Sequence, residues 1–268
     1  MSQTMYVVDA FTKELFKGNA AAVMILDQWL PETMMLAIAI ENNLSETAFA
    51  MTDESGLYHI RLFSPVIEIA FCGHATLATA YVLFNYYHQN TAIAFYAPEI
   101  GHFNVMQLSD GRIEMDFPNL QPEPINNAPE ALQTGLSIKP AEYWRNQQAY
   151  FAVYDDEAQV RAVSSNDKIL KQLAPFDVVV TAPGKQYDCV SRYFWPANGG
   201  AEDPATGSIH AGLMPFWGKR LGKNELIALQ ASARSGVLYG RIEGNRVYIS
   251  GECVLYSEAE VFVSAKAT

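Results

Sequence analysis

The sequence predicts an α+β protein of two similar lobes, each gathering strands around one apolar helix. Three features of the chain point there. First, a motif occurs twice: Arg61-Leu62-Phe63-Ser64-Pro65 runs ahead of Gly73-His74-Ala75-Thr76, and Arg192-Tyr193-Phe194-Trp195-Pro196 runs ahead of Gly207-Ser208-Ile209-His210. Each copy reads as a strand ending at proline, a short loop, and a glycine that opens an apolar helix. Second, the segment from His74 to Tyr87 is apolar on every side. A helix without a polar face is buried all round, so this one should form the axis of its lobe. Third, the prolines Pro118, Pro122, Pro124 and Pro129 stand among polar residues between Phe117 and Glu130, which reads as a linker between the halves.

Taken in order, Tyr6 to Phe11 and Ala21 to Leu26 are β-rich runs with a turn signal at Gly18-Asn19. Pro31 to Asn43 reads as a helix with proline early, where its missing N–H is harmless. Strands are expected at Thr47 to Met51 and Tyr58 to Phe63, and after the apolar helix at Ala92 to Tyr96, His102 to Leu108 and Arg112 to Phe117. The last two are joined by the hairpin signal Ser109-Asp110-Gly111. Beyond the linker the order returns. Tyr150 to Tyr154 and Asp177 to Thr181 are strand-like around a helix at Asn166 to Leu173, and the Arg192 strand leads to an apolar helix from Ser208 to Leu221. Strands near Leu226 to Gln230, Val237 to Ile242 and Arg246 to Ile249 follow, with a turn at Glu243-Gly244-Asn245 that echoes the one at Asp110-Gly111. Agreement in motif, order and closing hairpin indicates an internal duplication.

Composition narrows the function classes. Half of the 268 residues are hydrophobic and 18% are charged, enough for a sizeable core. A net charge of −11 without a basic run disfavours a nucleic-acid partner. The apolar runs fall short of the ~20 residues a membrane span needs, and the N-terminus carries no secretory pattern. Three cysteines, Cys72, Cys189 and Cys253, are odd in number and sparse, which fits a reducing cytoplasm better than a disulfide scaffold. No Cys/His spacing suggests a metal.

The candidate chemistry gathers where the helices begin. A helix N-terminus offers unpaired N–H groups and the positive end of the helix dipole, so a carboxylate binds there naturally. Gly73 and Gly207 allow close backbone approach, and His74 and Ser208 add side-chain donors; as single motifs they would read only as turns and caps. Glu46 lies where a helix gives way to a strand in a nearly uncharged stretch, either a solvated loop acid or a general acid/base. Asp203 falls within the stretch where the second loop exceeds the first by three residues, either an Asp-Pro turn or a catalytic or substrate-orienting group. Cys72 could serve a thiol racemase, but such an enzyme needs a second cysteine, and Thr206 stands opposite. Cys189, Cys253 and His210 read as core, the last as a satisfied histidine.

Several motifs in series resemble the phenazine-biosynthesis PhzF-like isomerase family, of the diaminopimelate-epimerase-like superfamily. They are Asp9-Ala10-Phe11-Thr12 through Phe16-Lys17-Gly18-Asn19-Ala20-Ala21-Ala22-Val23, then Leu44-Ser45-Glu46-Thr47, Cys72-Gly73-His74-Ala75-Thr76, and Glu202-Asp203-Pro204-Ala205-Thr206-Gly207-Ser208. The resemblance runs essentially end to end; Ala20 replaces the usual proline of the first motif. It implies two pseudo-symmetric lobes, each a mixed sheet rolled barrel-like around its helix, with the site in the cleft between them. The first lobe would span 1–117, completed by a C-terminal strand within 256–268, and the second 118–255. It also implies Glu46 as the acid/base of a cofactor-independent proton shift. His74, Asp203 and Ser208 would orient the substrate, and Gly73 and Gly207 would line the pocket. A homodimer, no cofactor and no metal complete what it implies. The alternatives are a racemase or epimerase of amino or hydroxy acids using Cys72, and a metabolite-binding protein without turnover.

Overall fold

The computed structural model describes residues 2–87 and 90–263. The chain divides into two units: residues up to Asp116 with those from Ser250 onward, and Phe117–Ile249.

In the first unit, strand Ser2–Ala10 pairs antiparallel with Asn19–Ile25, which runs parallel to Glu46–Thr52 after the crossover helix Glu32–Asn42. Glu46–Thr52 pairs antiparallel with Tyr58–Phe63, which runs parallel to Ala92–Ala97; Gly101–Gln107 and Ile113–Pro118 continue antiparallel. Strand Cys253–Phe262 lies antiparallel along Ser2–Ala10. Residues 264–268 of the C-terminal segment lie outside the described residues. Helix Gly73–Val82 packs against Ser2–Ala10, Asn19–Ile25, Glu46–Thr52 and Cys253–Phe262, and all its residues but Tyr81 are buried. The expectation of burial out to Tyr87 fails at the end: the last turn, Leu83–Tyr87, is π-helical, and Asn85, Tyr86 and Tyr87 face solvent.

Two local features deliver the site residues. Gly18 has φ +63°, and a Cβ there would sit 2.1 Å from the Ala10 carbonyl oxygen, so only glycine makes the tight turn that sends Asn19 inward. Helix Glu32–Asn42 stops at Asn43, whose left-handed φ of 48° returns its N–H to the Ala39 carbonyl. The chain then enters its strand with Glu46 as the first residue.

The second unit repeats these pairings. Ala149–Val153 runs parallel to Asp177–Pro183, which pairs antiparallel with Cys189–Phe194, itself parallel to Glu225–Gln230; Glu225–Gln230 in turn pairs antiparallel with Gly236–Glu243. Helix Gly207–Leu221 packs on the last two strands, and Trp217 Nε1 donates to Thr181 Oγ1 at 2.9 Å. The proline-rich stretch is no free tether. Its Glu123–Pro124 pairs with the unanticipated strand Glu142–Arg145, and Leu120 N–H donates to the Ala211 carbonyl at 3.1 Å. Helix Glu157–Ala162 is also new, although Asp156 and Gln159 form a reciprocal capping box readable in the sequence.

The repeated motif has a structural explanation. Alternation along a strand places Arg61 with Phe63, and Arg192 with Phe194, on one face; each guanidinium lies over its ring, at 5.3 and 5.1 Å. Arg61 grips both oxygens of Glu68, and Arg192 both oxygens of Glu202. Glu68 pairs with Phe63 and Glu202 with Phe194, so the two glutamates are equivalent and each stands five residues before its helix glycine. The three extra residues of the second loop therefore lie upstream of Glu202, around the 3₁₀ turn Pro196–Asn198. Asp203 is the counterpart of Ile69 and not part of the insertion, which corrects its expected placement.

Among the described residues, no helix is long and apolar enough to cross a membrane.

Candidate active site

The first unit brings Glu46, Gly73 and His74 together, with Cys72 and Asn19. Glu46 is 7% exposed and His74 4%, although both are polar. His74 Nε2 lies 2.9 Å from Glu46 Oε2. That is an ion-pair distance, yet Oε2 is buried and has no aligned hydrogen-bond donor.

The other ring nitrogen is set by Asn19, 1% exposed, whose amide nitrogen stands 3.1 Å from Nδ1; its Oδ1 accepts from Ser45 Oγ at 3.3 Å. A carboxamide suits this place because it can offer N–H to a bare nitrogen or C=O to a protonated one. Burial alone would lower the His74 pKa, but its neighbours, Cys72 first and then Glu46, outweigh it and hold the imidazole well above its usual range. Nε2 and Oε2 are thus two groups placed to exchange a proton.

Cys72 Sγ lies 3.2 Å from Nδ1 and 3.9 Å from Nε2, so it sits off the Nδ1 lone-pair axis, to one side of the ring. Burial, then the neighbouring Glu46, raises its thiol above the usual range, leaving a thiol and not a thiolate at neutral pH. Sγ, a ring nitrogen and a Glu46 oxygen fall within 4.8 Å, near enough in distance for one cation. However, the carboxylate faces Nε2 while the sulfur is nearer Nδ1, an arrangement that passes protons better than it surrounds an ion. A thiol in this state should react slowly with iodoacetamide at pH 7, and the rate should climb only as pH passes the ordinary cysteine range. Mass spectrometry of Cys72 against pH checks this; fast modification at pH 7 would contradict it.

Ser208, Gly207 and Asp203 gather at the mouth of the second-unit helix. Neither helix start carries a side-chain cap hydrogen bond. Ser208 Oγ accepts from Gln148 Nε2 at 2.9 Å. Asp203 accepts a short hydrogen bond from Thr206 Oγ1, while the fully buried Gln230 takes the Thr206 N–H at 2.9 Å and donates to the Asp203 backbone oxygen at 2.8 Å. Thr206, opposite Cys72, is therefore a loop latch. His210 is only half satisfied. Nδ1 meets the Thr206 carbonyl at 2.7 Å, Nε2 has no partner, and burial lowers its pKa to about 4.

The sequence reads Asn19 as a turn residue within the first motif and Tyr193 as part of the repeated motif, and it marks neither Gln148 nor Gln230. Gly18 was the available signal for the first. Gln148 and Gln230 are uncharged residues whose side chains meet partners more than twenty positions away, and Tyr193 meets Asp177 sixteen positions away, beyond any local pattern.

Comparison with known proteins now places the chain. The family described as phenazine biosynthesis-like protein, PhzC-PhzF, matches residues 8–259. A Pseudomonas aeruginosa protein named an uncharacterized isomerase is 43% identical over 256 residues, covering 96% of this chain and 97% of that one. A crystal structure of a PhzF-family phenazine biosynthesis protein from Enterococcus faecalis superposes with a TM-score of 0.93 at 43% identity, covering 98% of this chain and all of that one. A hydroxyproline epimerase from Agrobacterium vitis shares the fold, with a TM-score of 0.59 at 10% identity over 97% of this chain and 92% of that one. The α+β architecture of mixed sheet and few helices is thus that of PhzF proteins and their racemase and epimerase fold relatives, and the chain belongs to the phenazine biosynthesis-like PhzC-PhzF isomerase family.

Proposed function

We propose that the protein moves a proton within a small carboxylate-bearing molecule, without a cofactor, by general acid/base catalysis at Glu46. The observation behind this is the buried Glu46–His74 pair, with Nε2 and Oε2 2.9 Å apart and Oε2 lacking an aligned donor. Glu46 takes a proton from one carbon and returns it at another, and the His74 ring beside it stabilises the anionic charge that develops between the two events. Backbone N–H groups at Gly73 and at Gly207 are the proposed holders of the substrate carboxylate, with Ser208 and Asp203 orienting it. The cytoplasm and a homodimeric assembly belong to the same proposal, and light scattering on the purified chain checks the second.

A thiol racemase is disfavoured by the protonated state of Cys72 and by the latching role of Thr206. A silent binding protein is separated from an enzyme by isotope exchange. A thermal-shift screen of small carboxylic acids, followed by proton NMR of each stabilising compound in heavy water, should show deuterium entering at carbon. Stabilisation without exchange at any carbon, across all hits, would refute the proposed activity.

A further inference from the structure

The hydroxyl of Ser208 is held by a chain of hydrogen bonds whose direction can be read from its far end. The Pro175 carbonyl can only accept, so the Asn198 atom 3.2 Å from it is the amide nitrogen, which also donates to Asp177 Oδ1 at 2.7 Å. Asp177 Oδ2 lies 2.5 Å from the Tyr193 hydroxyl, a length typical of a charge-assisted O–H···O⁻ bond. Tyr193 keeps its proton, since burial and then Asp177 push its pKa well above the usual value. With Tyr193 donating to Asp177, its oxygen accepts, so the Gln148 atom 3.0 Å away is the amide nitrogen. The second hydrogen of that nitrogen goes to Ser208 Oγ at 2.9 Å. Ser208 already accepts there, and its own O–H is left to donate elsewhere.

We propose that Gln148 is a positioning residue that fixes Ser208 as a hydrogen-bond donor, so that the helix mouth selects an anionic oxygen over a group that itself carries N–H. This rests on Ser208 being a substrate contact, as proposed above. It also gives the three extra residues of the second loop a role, because they carry Asn198 to Asp177. Main-chain bonds hold Gln148 in register independently of its side chain: its N–H meets Asn146 Oδ1 at 2.9 Å and its carbonyl accepts from Asp177 N at 3.2 Å. A change at the amide should therefore leave the strand ends in place.

The test is titration of the ¹⁵N-labelled full chain with acetate, and with acetamide as the uncharged analogue, following the Gly207 and Ser208 amide resonances. S208A and Q148M should each weaken acetate about tenfold, the worth of one hydrogen bond to a charged group. Q148M should add nothing in an S208A background, since its effect passes through that hydroxyl. Q148E, which can only accept, should turn the Ser208 hydroxyl inward and lower the preference for acetate over acetamide by more than it does in an S208A background, where only the repulsion of the added charge remains. Y193F leaves the ring in place and should weaken acetate in the same direction. Additive losses in Q148M/S208A, or a selectivity loss from Q148E no larger than in the S208A background, would overturn the relay alone. Acetate that leaves both amides unmoved in the native chain would overturn the relay together with the proposed substrate site.

Discussion

Glu46→Gln is expected to lower turnover by about 10²–10⁴-fold, the usual contribution of a positioned acid/base. The substitution keeps size and shape, so the fold and the affinity for small carboxylates should change little. It removes the charge beside His74 while leaving the ring buried at 4% exposure. The same variant thus carries a second signature. In the native chain Cys72 and Glu46 hold the His74 pKa well above the usual imidazole range, against the effect of burial; in the variant the Glu46 share is lost, and the value should fall. Histidine ring resonances followed against pH report this without any substrate. The consequence for stability has a definite sign. A histidine whose folded pKa exceeds its unfolded value of about 6.5 contributes stability that is complete below that pH. The contribution is lost as pH rises through the folded value. Native and variant chains should therefore diverge most in denaturant midpoint at acidic pH and converge when alkaline. Normal turnover in Glu46→Gln would remove Glu46 from the mechanism; an unmoved His74 titration would mean the two groups are not coupled.

What could be read in advance, and what could not, follows from the range of the forces involved. Strand alternation and apolar helix patterning are local, so Tyr58–Phe63, Gly207–Leu221 and Gly236–Glu243 fall within a residue or two of their expected limits. His74, Gly73, Gly207 and Ser208 stand out because glycine and polar residues at the start of an apolar helix are locally odd, and Glu46 because it is a carboxylate in a nearly uncharged stretch between helix and strand. The misread parts depend on partners distant in sequence. The Pro118–Pro129 stretch has linker composition, yet its Leu120 N–H is satisfied by Ala211. Asp203 was misaligned because gap placement from sequence alone ignores the Arg–Glu pairs that fix the register. Gln148 was invisible for a related reason. Its importance lies in which atom faces Ser208 and Tyr193, and no periodicity encodes that.

Arg192→Met should be among the most destabilising substitutions outside the apolar core, costing about 3–4 kcal/mol, where Arg61→Met costs about 1–2. Both arginines make the same two-pronged contact with a glutamate, so the difference must come from what else each holds. The third partner of Arg61 is Glu32, 69% exposed, and an ion pair with so exposed a group contributes little. The remaining nitrogen of Arg192, by contrast, donates to Val163 O at 2.6 Å and approaches Val160 O at 3.3 Å. These carbonyls lie at the C-terminal end of helix Glu157–Ala162, where backbone acceptors have no partner within the helix. Methionine would preserve packing volume over Phe194 but leave those carbonyls and the Glu202 carboxylate, 25% exposed, without their donor. Lysine would restore the charge but not the planar fork, and should recover only part of the loss. Adding Glu202→Gln to Arg192→Met should also recover part, because it removes the stranded charge. Chemical denaturation of the single and double variants measures each step. Hydrogen exchange supplies the local readout. Glu202 begins the run that carries Asp203, Thr206 and Ser208 to the helix mouth, so amides from 202 to 208 should exchange faster in Arg192→Met. Equal losses for the two arginines would show that the glutamate pairs, and not the helix-end carbonyls, set the cost.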